Sequence, residues 1–233
     1  MGRIFEYGGG WGEQLASILD HEKNLELTIC APFAEGKKLI KMAWGIGSMF
    51  YGFQKKDYRS WKYDPSLEVV FSAILEEVEP DIVHIFGTEF PHTLSMVKAF
   101  DNPSRTVIHI QGLVSVCADY YTAYLPDYVV HSNSVRDFLR HDNIFNQYKK
   151  FGMQGRYEIE AIKKVGHVMG RTDWDKTHCL SINSDVEYHH VQEIMRDEFY
   201  GGKWEYSSCR KHTIFMSQAY YPIKGLHLML QAM

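Results

Sequence analysis

The chain has 233 residues, 45% of them hydrophobic and 23% charged, and a formal net charge of −4 at pH 7. This length allows one large domain or two of ordinary size, and the apolar fraction is that of a globular protein. The negative charge argues against a general nucleic-acid-binding surface, and no run of about 18 apolar residues is present to span a membrane. Four scattered cysteines without a CxxC pair favour a reduced, cytoplasmic protein over a disulfide scaffold.

The N-terminal stretch combines a short predicted strand, 4–7, with a glycine-rich turn, 8–12, that opens a helix. Free backbone N–H groups at the start of a helix can bind an anion, so Gly9 and Gly10 are candidates for contact with a phosphate. The spacing matches neither a Walker loop nor a dinucleotide fingerprint. A tight turn without a ligand therefore stays open as an alternative.

Residues 37–62 are rich in both basic and aromatic side chains, and they follow a predicted strand at 25–31. A second predicted strand, 49–53, lies within this segment. Such a composition could rest on an anionic membrane surface or hold a phosphorylated acceptor. The commoner explanation is a solvated loop whose aromatic side chains pack inward.

The clearest unit of the sequence is a helix followed by a strand. Apolar residues at steps of three and four predict a helix from Ser66, as its cap, to Val78, and Pro80 ends it. The apolar run 82–85 has no alternation, which is typical of a parallel strand covered by helices on both sides. Because function collects at the carboxyl ends of such strands, the loop 87–89, with Thr88 and Glu89, is the first candidate site.

A predicted helix from Pro91 through Phe100 and a strand at 105–110 complete a βαβ unit. This second strand brings Gln111 to the same sheet edge, and His109 shares a face with it. A lone histidine in a strand is more often a buried core residue than a catalyst.

The following region, 113–164, is mostly helical, with breaks predicted at 142–143 and 152–155, and leads to a strand at 167–169. Thr172 or Asp173 can cap the next helix. Arg171 is placed to bind an anion or, alternatively, to pair with Asp173 or Asp175 and fix the turn.

A strand at 186–191 and a helix at 193–199 are the next predicted elements. No metal site is expected from His189 and His190, because adjacent residues of a strand face opposite ways. Beyond a connector rich in turn formers, a strand at 213–217 and a helix at 224–233 suggest a second domain and a natural chain that continues. The predicted boundary divides the chain into 1–209 and 210–233.

The order of these pieces resembles the GT-B glycosyltransferases, specifically family 4 of the retaining, sugar-nucleotide-dependent enzymes. The resemblance is carried by the stretches 8–12, 80–89, 110–113 and 170–175, and by 222–225, which looks like the P-x-K-G turn that opens the second domain of that family. It implies an α/β fold, the N-terminal half of a GT-B protein, with a Rossmann-like parallel sheet and helices on both of its faces. Residues 1–209 would mainly bind the acceptor, and 210–233 would begin the donor-binding domain.

The resemblance also implies an activity and a set of site residues. A sugar would pass from a nucleotide diphosphate sugar to a saccharide or lipid-linked acceptor with retention, in polysaccharide or glycoconjugate synthesis, without metal or cofactor. We expect a cytoplasmic location, and the segment 37–62 could contact the inner face of the membrane. Donor phosphates would be bound by Gly9, Gly10, Arg171 and Lys224, the transferred sugar by Gln111 with His109 beside it, and the acceptor by Thr88 and Glu89.

Two positions depart from the family pattern. Where members often carry a histidine before the glycine, this chain has Gln111, whose amide forms hydrogen bonds but does not shuttle a proton at neutral pH. The glycine-arginine pair of the family reads Ser217-Gln218 here. Two alternatives remain, a non-catalytic binding module and a nucleotide-dependent oxidoreductase or epimerase, although the latter needs a GxGxxG with an acidic residue about 20 positions later.

Overall fold

The computed structural model describes residues 10–33, 39–54, 61–195, 199–217 and 220–233. These residues form an α/β protein with one four-stranded parallel sheet and one small mixed sheet. The strands are β1 Thr28–Pro32, β2 Leu39–Trp44, β3 Ser48–Phe53, β4 Val83–Phe86, β5 Thr106–His109, β6 His167–Gly170 and β7 Glu187–His190. The α-helices are α1 Gly10–Leu19, α2 Ser66–Val78, α3 His92–Phe100, α4 Val114–Asp119, α5 Asp127–Val130, α6 Val135–Arg140, α7 Ile144–Ile162, α8 Asp173–Ile182 and α9 Leu226–Ala232.

The parallel sheet has the strand order β4-β5-β6-β7, so each strand lies next to the one that follows it in sequence. Right-handed crossovers between strands in this order place α3, α7 and α8 on a single face of the sheet. The main apolar core lies there, with Ile108 and Val168 of the sheet against Leu94, Ile162 and Cys179 of the three helices, each at most 1% exposed. We call this side the packed face.

The opposite side of the sheet carries a different set of side chains. Residues paired across parallel strands share a face, and the pairs His84 with Val107, Phe86 with His109, and His167 with Glu187 define it. We call this side the histidine face; its members are His84, Phe86, Val107, His109, His167, Met169, Glu187 and His189. The sequence predicts a β4 strand that is apolar on both sides, and this prediction is wrong for the side that carries His84.

The small mixed sheet has the order β1-β3-β2, with β1 parallel and β2 antiparallel to β3. The predicted strands at 25–31 and 49–53 are thereby confirmed within a few residues, and β2 is an addition. This sheet packs on α2 through a second apolar cluster made of Tyr51, Phe53, Leu67, Phe71 and Ile74.

Helix ends and breaks are where the sequence predictions and the structure differ most. Helix α2 has the predicted range, but Pro65 occupies the cap position and the Ser66 hydroxyl instead donates to Asp64 Oδ1 at 2.6 Å. The break predicted at 152–155 is wrong, because α7 runs through it. Gly155 serves close packing there, since a Cβ at this position would lie 2.6 Å from the Cα of Ser115 on α4.

The predictions beyond β7 have mixed outcomes. Residues 213–217 form no strand, and 193–195 are not helical, while 196–198 and the predicted strand 4–7 lie outside the described residues. The helix at 224–233 is confirmed as α9, preceded by a 3-10 turn at Pro222–Lys224. All four cysteines are free thiols. Across the described ranges, no helix has both the length and the apolar character required to cross a bilayer.

Candidate functional site at the carboxyl edge of the parallel sheet

The loops that leave the four parallel strands meet at one edge of the sheet. The strand ladder continues into them, because Gly87 N–H donates to the His109 carbonyl at 2.9 Å and Val191 N–H donates to the Gly170 carbonyl at 2.9 Å. We call this edge the carboxyl rim; it consists of 87–89, 111–112, 171–172 and 191–193. The predicted residues Thr88, Glu89, Gln111 and Arg171 all belong to it.

The loop after β4 folds back on itself at Gly87. This glycine has a φ of 81°, and a Cβ on it would lie 2.2 Å from Glu89 Oε2. A side chain at position 87 would therefore displace the Glu89 carboxylate. Burial raises the pKa of Glu89, and the charge of Glu158 adds to the rise, whereas the backbone N–H groups of Glu89 and Thr88 oppose it. The Gln154 side chain donates to the Glu89 carbonyl at 2.7 Å and links the loop to α7.

Glu158 of α7 is the buried centre of this edge, and it was missed from the sequence. It is only 1% exposed, and it accepts hydrogen bonds from Val114 N–H at 2.9 Å, Ser115 N–H at 2.8 Å and the Ser115 hydroxyl at 2.5 Å. The Thr88 hydroxyl is a further donor to it. One sequence signal could have revealed this role, since a charged residue at 158 falls on the same helical stripe as the buried Gly155 and Ile162.

The environment of Glu158 explains what Thr88 does. Burial raises the pKa of Glu158, while hydrogen bonds from Ser115 and Thr88 favour the ionised carboxylate and oppose that rise. Thr88 is 2% exposed, and its hydroxyl is used to join the β4 loop to α7. The carboxyl rim is thus held from below by a carboxylate that ties α4, α7 and the β4 loop together.

Arg171 connects three strand ends. Its guanidinium donates to Glu193 Oε2 at 2.7 Å and to the Gln111 carbonyl at 3.1 Å. The partner of the guanidinium is therefore Glu193 rather than Asp173 or Asp175. Asp175 instead accepts the backbone N–H of Arg171 at 3.0 Å.

The N-terminus of α8 is closed by a capping box, as the sequence predicted for Thr172. The Thr172 side chain accepts from Asp175 N–H at 3.1 Å, and the Asp175 carboxylate accepts from Thr172 N–H at 3.1 Å. Two of the free N–H groups of the helix are thereby satisfied within the loop.

Gln111 and His109 lie at the end of β5. The Gln111 Nε2 atom is buried and has no hydrogen-bond partner among the residues that the structure describes. His109 is 3% exposed, and its ring stacks on His84 with centroids 5.7 Å apart and lies 5.4 Å from that of Phe86. Burial lowers the pKa of His109, an effect that the Glu193 carboxylate opposes.

Lys224 is the last residue of the turn Pro222–Lys224, which is followed by Gly225 with a φ of 77°. Next to this turn, the Tyr221 ring packs on Phe151 of α7 at a centroid distance of 5.8 Å. Burial raises the pKa of the Cys117 thiol, the carboxylates of Glu158 and Glu89 add to the rise, and the Lys224 ammonium opposes it. The charges of Lys224, Glu89 and Glu158 thus all act on the Cys117 thiol.

The predicted glycine site is only partly described. Gly9 lies outside the described residues, and Gly10 is the first residue of α1. Asp20, which follows α1, is hydrogen-bonded to the small mixed sheet. Its carboxylate accepts from Ile46 N–H at 2.6 Å and from the Ser48 hydroxyl at 2.5 Å. The contacts around α1 thus place its C-terminal end at the β2–β3 turn.

Residues 37–38 and 55–60 of the basic aromatic segment 37–62 lie outside the described residues. Within the described part, Lys41 pairs with Glu77 and lies 5.4 Å from the centroid of the Tyr51 ring. Lys62 lies 4.8 Å from the centroid of the Trp61 ring.

The carboxyl rim combines a half-buried carboxylate, an unsatisfied amide N–H and a paired guanidinium. Such groups can orient hydroxyls by hydrogen bonding, which suits a polar, hydroxyl-rich ligand. The chain matches no protein-family model, no curated protein and no solved structure.

Proposed function

We propose that this chain is the acceptor-binding half of a retaining glycosyltransferase of the GT-B type, similar to family 4, with the beginning of the donor-binding domain. The observation that carries the proposal is the convergence of Glu89, Gln111 and Arg171 on one edge of a parallel sheet. Lys224 of the P-x-K-G turn adds a cation coupled to the same region. The finer fold, a Rossmann-like half of a GT-B protein with the boundary between 209 and 210, is part of this proposal.

The reaction would exchange one bond at the anomeric carbon of a nucleotide diphosphate sugar. The bond to the diphosphate oxygen breaks, a bond to the acceptor oxygen forms on the same face of the sugar, and the acceptor proton passes to the departing phosphate. Lys224 would stabilise the charge that develops on that phosphate. The free amide N–H of Gln111 would donate to a hydroxyl of the transferred sugar, and Glu89 would accept from the acceptor hydroxyl.

Arg171 and Thr88 would position loops, whereas the sequence analysis expects them to bind the donor phosphates and the acceptor directly. Arg171 is neutralised by Glu193 at 2.7 Å, so within this proposal it positions the loops after β5 and β7, and an anion would have to compete with Glu193 for it. Thr88 positions the β4 loop through Glu158. The acceptor would be a saccharide or a lipid-linked saccharide of a polysaccharide or glycoconjugate, and 37–62 would supply any peripheral membrane contact.

The test is to measure nucleotide release from a panel of UDP, GDP and ADP sugars by the complete natural protein. We expect one donor class to be consumed, and we expect Glu89→Gln and Gln111→Ala each to lower turnover at least about tenfold, the effect of losing about 1.4 kcal/mol of transition-state binding. Glu76→Gln, an exposed carboxylate on α2, is the matched control and should leave turnover unchanged.

Two outcomes would replace the proposal. Hydride exchange with a nicotinamide cofactor would assign the chain to the oxidoreductases. No turnover of any donor, together with binding of a saccharide or protein at the rim, would assign it to the non-catalytic binding modules.

A further inference from the structure

The last two strands of the parallel sheet bring three metal-ligating side chains together on the histidine face. Glu187 and His189 are two residues apart on β7 and so point the same way. His167 on β6 is the direct partner of Glu187 in the register. One ligand atom from each residue lies within 4.8 Å of the other two.

The distances among these atoms fit a shared metal ion. His167 Nδ1 lies 3.2 Å from His189 Nε2 and 3.5 Å from Glu187 Oε2, and His189 Nε2 lies 4.0 Å from Glu187 Oε1. A tetrahedral zinc ion with bonds of about 2.0–2.2 Å separates its ligand atoms by about 3.3–3.6 Å. Two of the three separations are thus close to those of a coordinated set, and a small side-chain rotation would shorten the third.

Hydrogen bonding alone explains this cluster less well. An N–H of one imidazole can donate to the other ring nitrogen at 3.2 Å. The Glu187 carboxylate is then left at 3.5 and 4.0 Å from the rings, beyond the usual 2.7–3.2 Å range of an N–H···O bond. A cation between the three groups would use all of them at once.

The chemistry and the exposure of the donors indicate the kind of ion. Two imidazole nitrogens and one carboxylate oxygen are the donors of sites for zinc and its first-row neighbours, whereas calcium and magnesium prefer oxygen ligands only. The side chains of His167, His189 and Glu187 are 31%, 37% and 66% exposed, so water can reach a fourth position.

We propose that His167, Glu187 and His189 form a binding site for a divalent late first-row transition metal ion, with water as a fourth ligand. The site is distinct from the carboxyl rim, because its residues lie on the strands rather than in the loops that follow them. An ion bound there joins β7 to β6, so it stabilises the folded chain by an amount that grows with the logarithm of the free ion concentration.

The experiment is a zinc titration of the chelator-treated protein against a chromophoric competitor, repeated with cobalt to record its visible spectrum. We expect one ion per chain, and we expect His167→Asn and His189→Asn each to weaken zinc binding by about 100-fold, at least as much as the loss of a supporting contact. Zinc should also raise the thermal unfolding midpoint of the unmodified protein and not that of the two variants. Magnesium should do neither.

His190→Asn is the matched control, because His190 is the next residue of β7 and its ring contacts the Arg171 carbonyl on the other side of the strand. It should bind zinc like the unmodified protein. The proposal is overturned if no zinc binds at about 100 μM, because three preorganised ligands should bind zinc more tightly than that. It is also overturned by equal binding in all the variants, or by a cobalt spectrum dominated by thiolate ligation. Thermal unfolding without metal identifies any variant that fails to fold, and Glu187→Gln then replaces it.

Discussion

The packed face and the histidine face belong to the same four strands, yet they follow different physical rules. On the packed face, Ile108 and Val168 are fully buried against three helices, so that face is stabilised by shape and by removal of apolar surface from water. On the histidine face, the half-buried His84 ring stacks on the buried His109 ring, and burial lowers the pKa of both rings. Alternating residues of one strand can therefore place apolar side chains that stabilise the fold on one face of a sheet. The same strand places side chains that can bind protons or ions on the other face.

The largest expected difference between the faces comes from removing core volume. Ile108→Ala should lower the free energy of unfolding by about 3–4 kcal/mol, because it leaves a cavity that three helices cannot collapse. Met169→Ala, on the histidine face, should cost about 1 kcal/mol, since Met169 is only partly buried. Urea unfolding measures both. Equal losses would mean that the histidine face is packed as tightly as its opposite.

The second prediction concerns the carboxylate that lies on the packed side. Glu158→Gln should cost about 2–3 kcal/mol, because the amide places a donor where the N–H groups of Val114 and Ser115 already donate. Glu160→Gln, on the same helix, alters only a surface pair with Lys98 and should cost less than about 1 kcal/mol. Comparable losses for the two variants in urea unfolding would contradict a buried role for Glu158.

The third prediction uses pH to separate the faces. Burial, with a further contribution from His109, lowers the pKa of His84 to about 4 from an ordinary value of 6.5. The unfolded chain binds the proton first as the pH falls, so this group destabilises the folded state progressively below pH 6.5, by about 2–3 kcal/mol near pH 4. His84→Phe should therefore lose that much less stability between pH 7 and pH 4. Parallel stability–pH curves for the two proteins would disprove this assignment.

The smallest effect is expected at the solvent edge of the packed side. Lys98 lies 2.9 Å from Glu160 and 4.6 Å from the centroid of the Tyr63 ring. Exposed pairs of this kind contribute about 0.2–1 kcal/mol, so Lys98→Met should shift the urea midpoint only slightly, and less in high salt. A loss like that of Ile108→Ala would show that charge, rather than apolar burial, holds α3 on α7.

Local patterns in the sequence were sufficient for much of the fold. Helix α2, helix α3 and strands β4 to β6 were predicted because periodicity, proline and cap signals lie within each element. Thr172 was identified in the same way, since its capping partner Asp175 is three residues on. The parallel pairing of β4 and β5 followed from the short helical link between them.

What the sequence did not predict depends on contacts between distant residues. Glu158 accepts a hydrogen bond from Thr88, 70 residues away, and no local sequence pattern near either residue predicts this contact. Gly155 was read as a helix break, although it is needed for the close approach of Ser115. The ligand cluster was missed for a related reason: His189 was compared with its neighbour His190, whereas its partner His167 is on the adjacent strand.

The contacts of Arg171 have a consequence for motion. One guanidinium contacts the segments that follow β5 and β7, and its own backbone follows β6, so Arg171 is a link common to all three loops. A displacement of one loop must be accommodated by the other two. Amide hydrogen exchange in the three loops should therefore accelerate together when the guanidinium contacts of Arg171 are removed. The three loops would then open as one cooperative unit instead of independently.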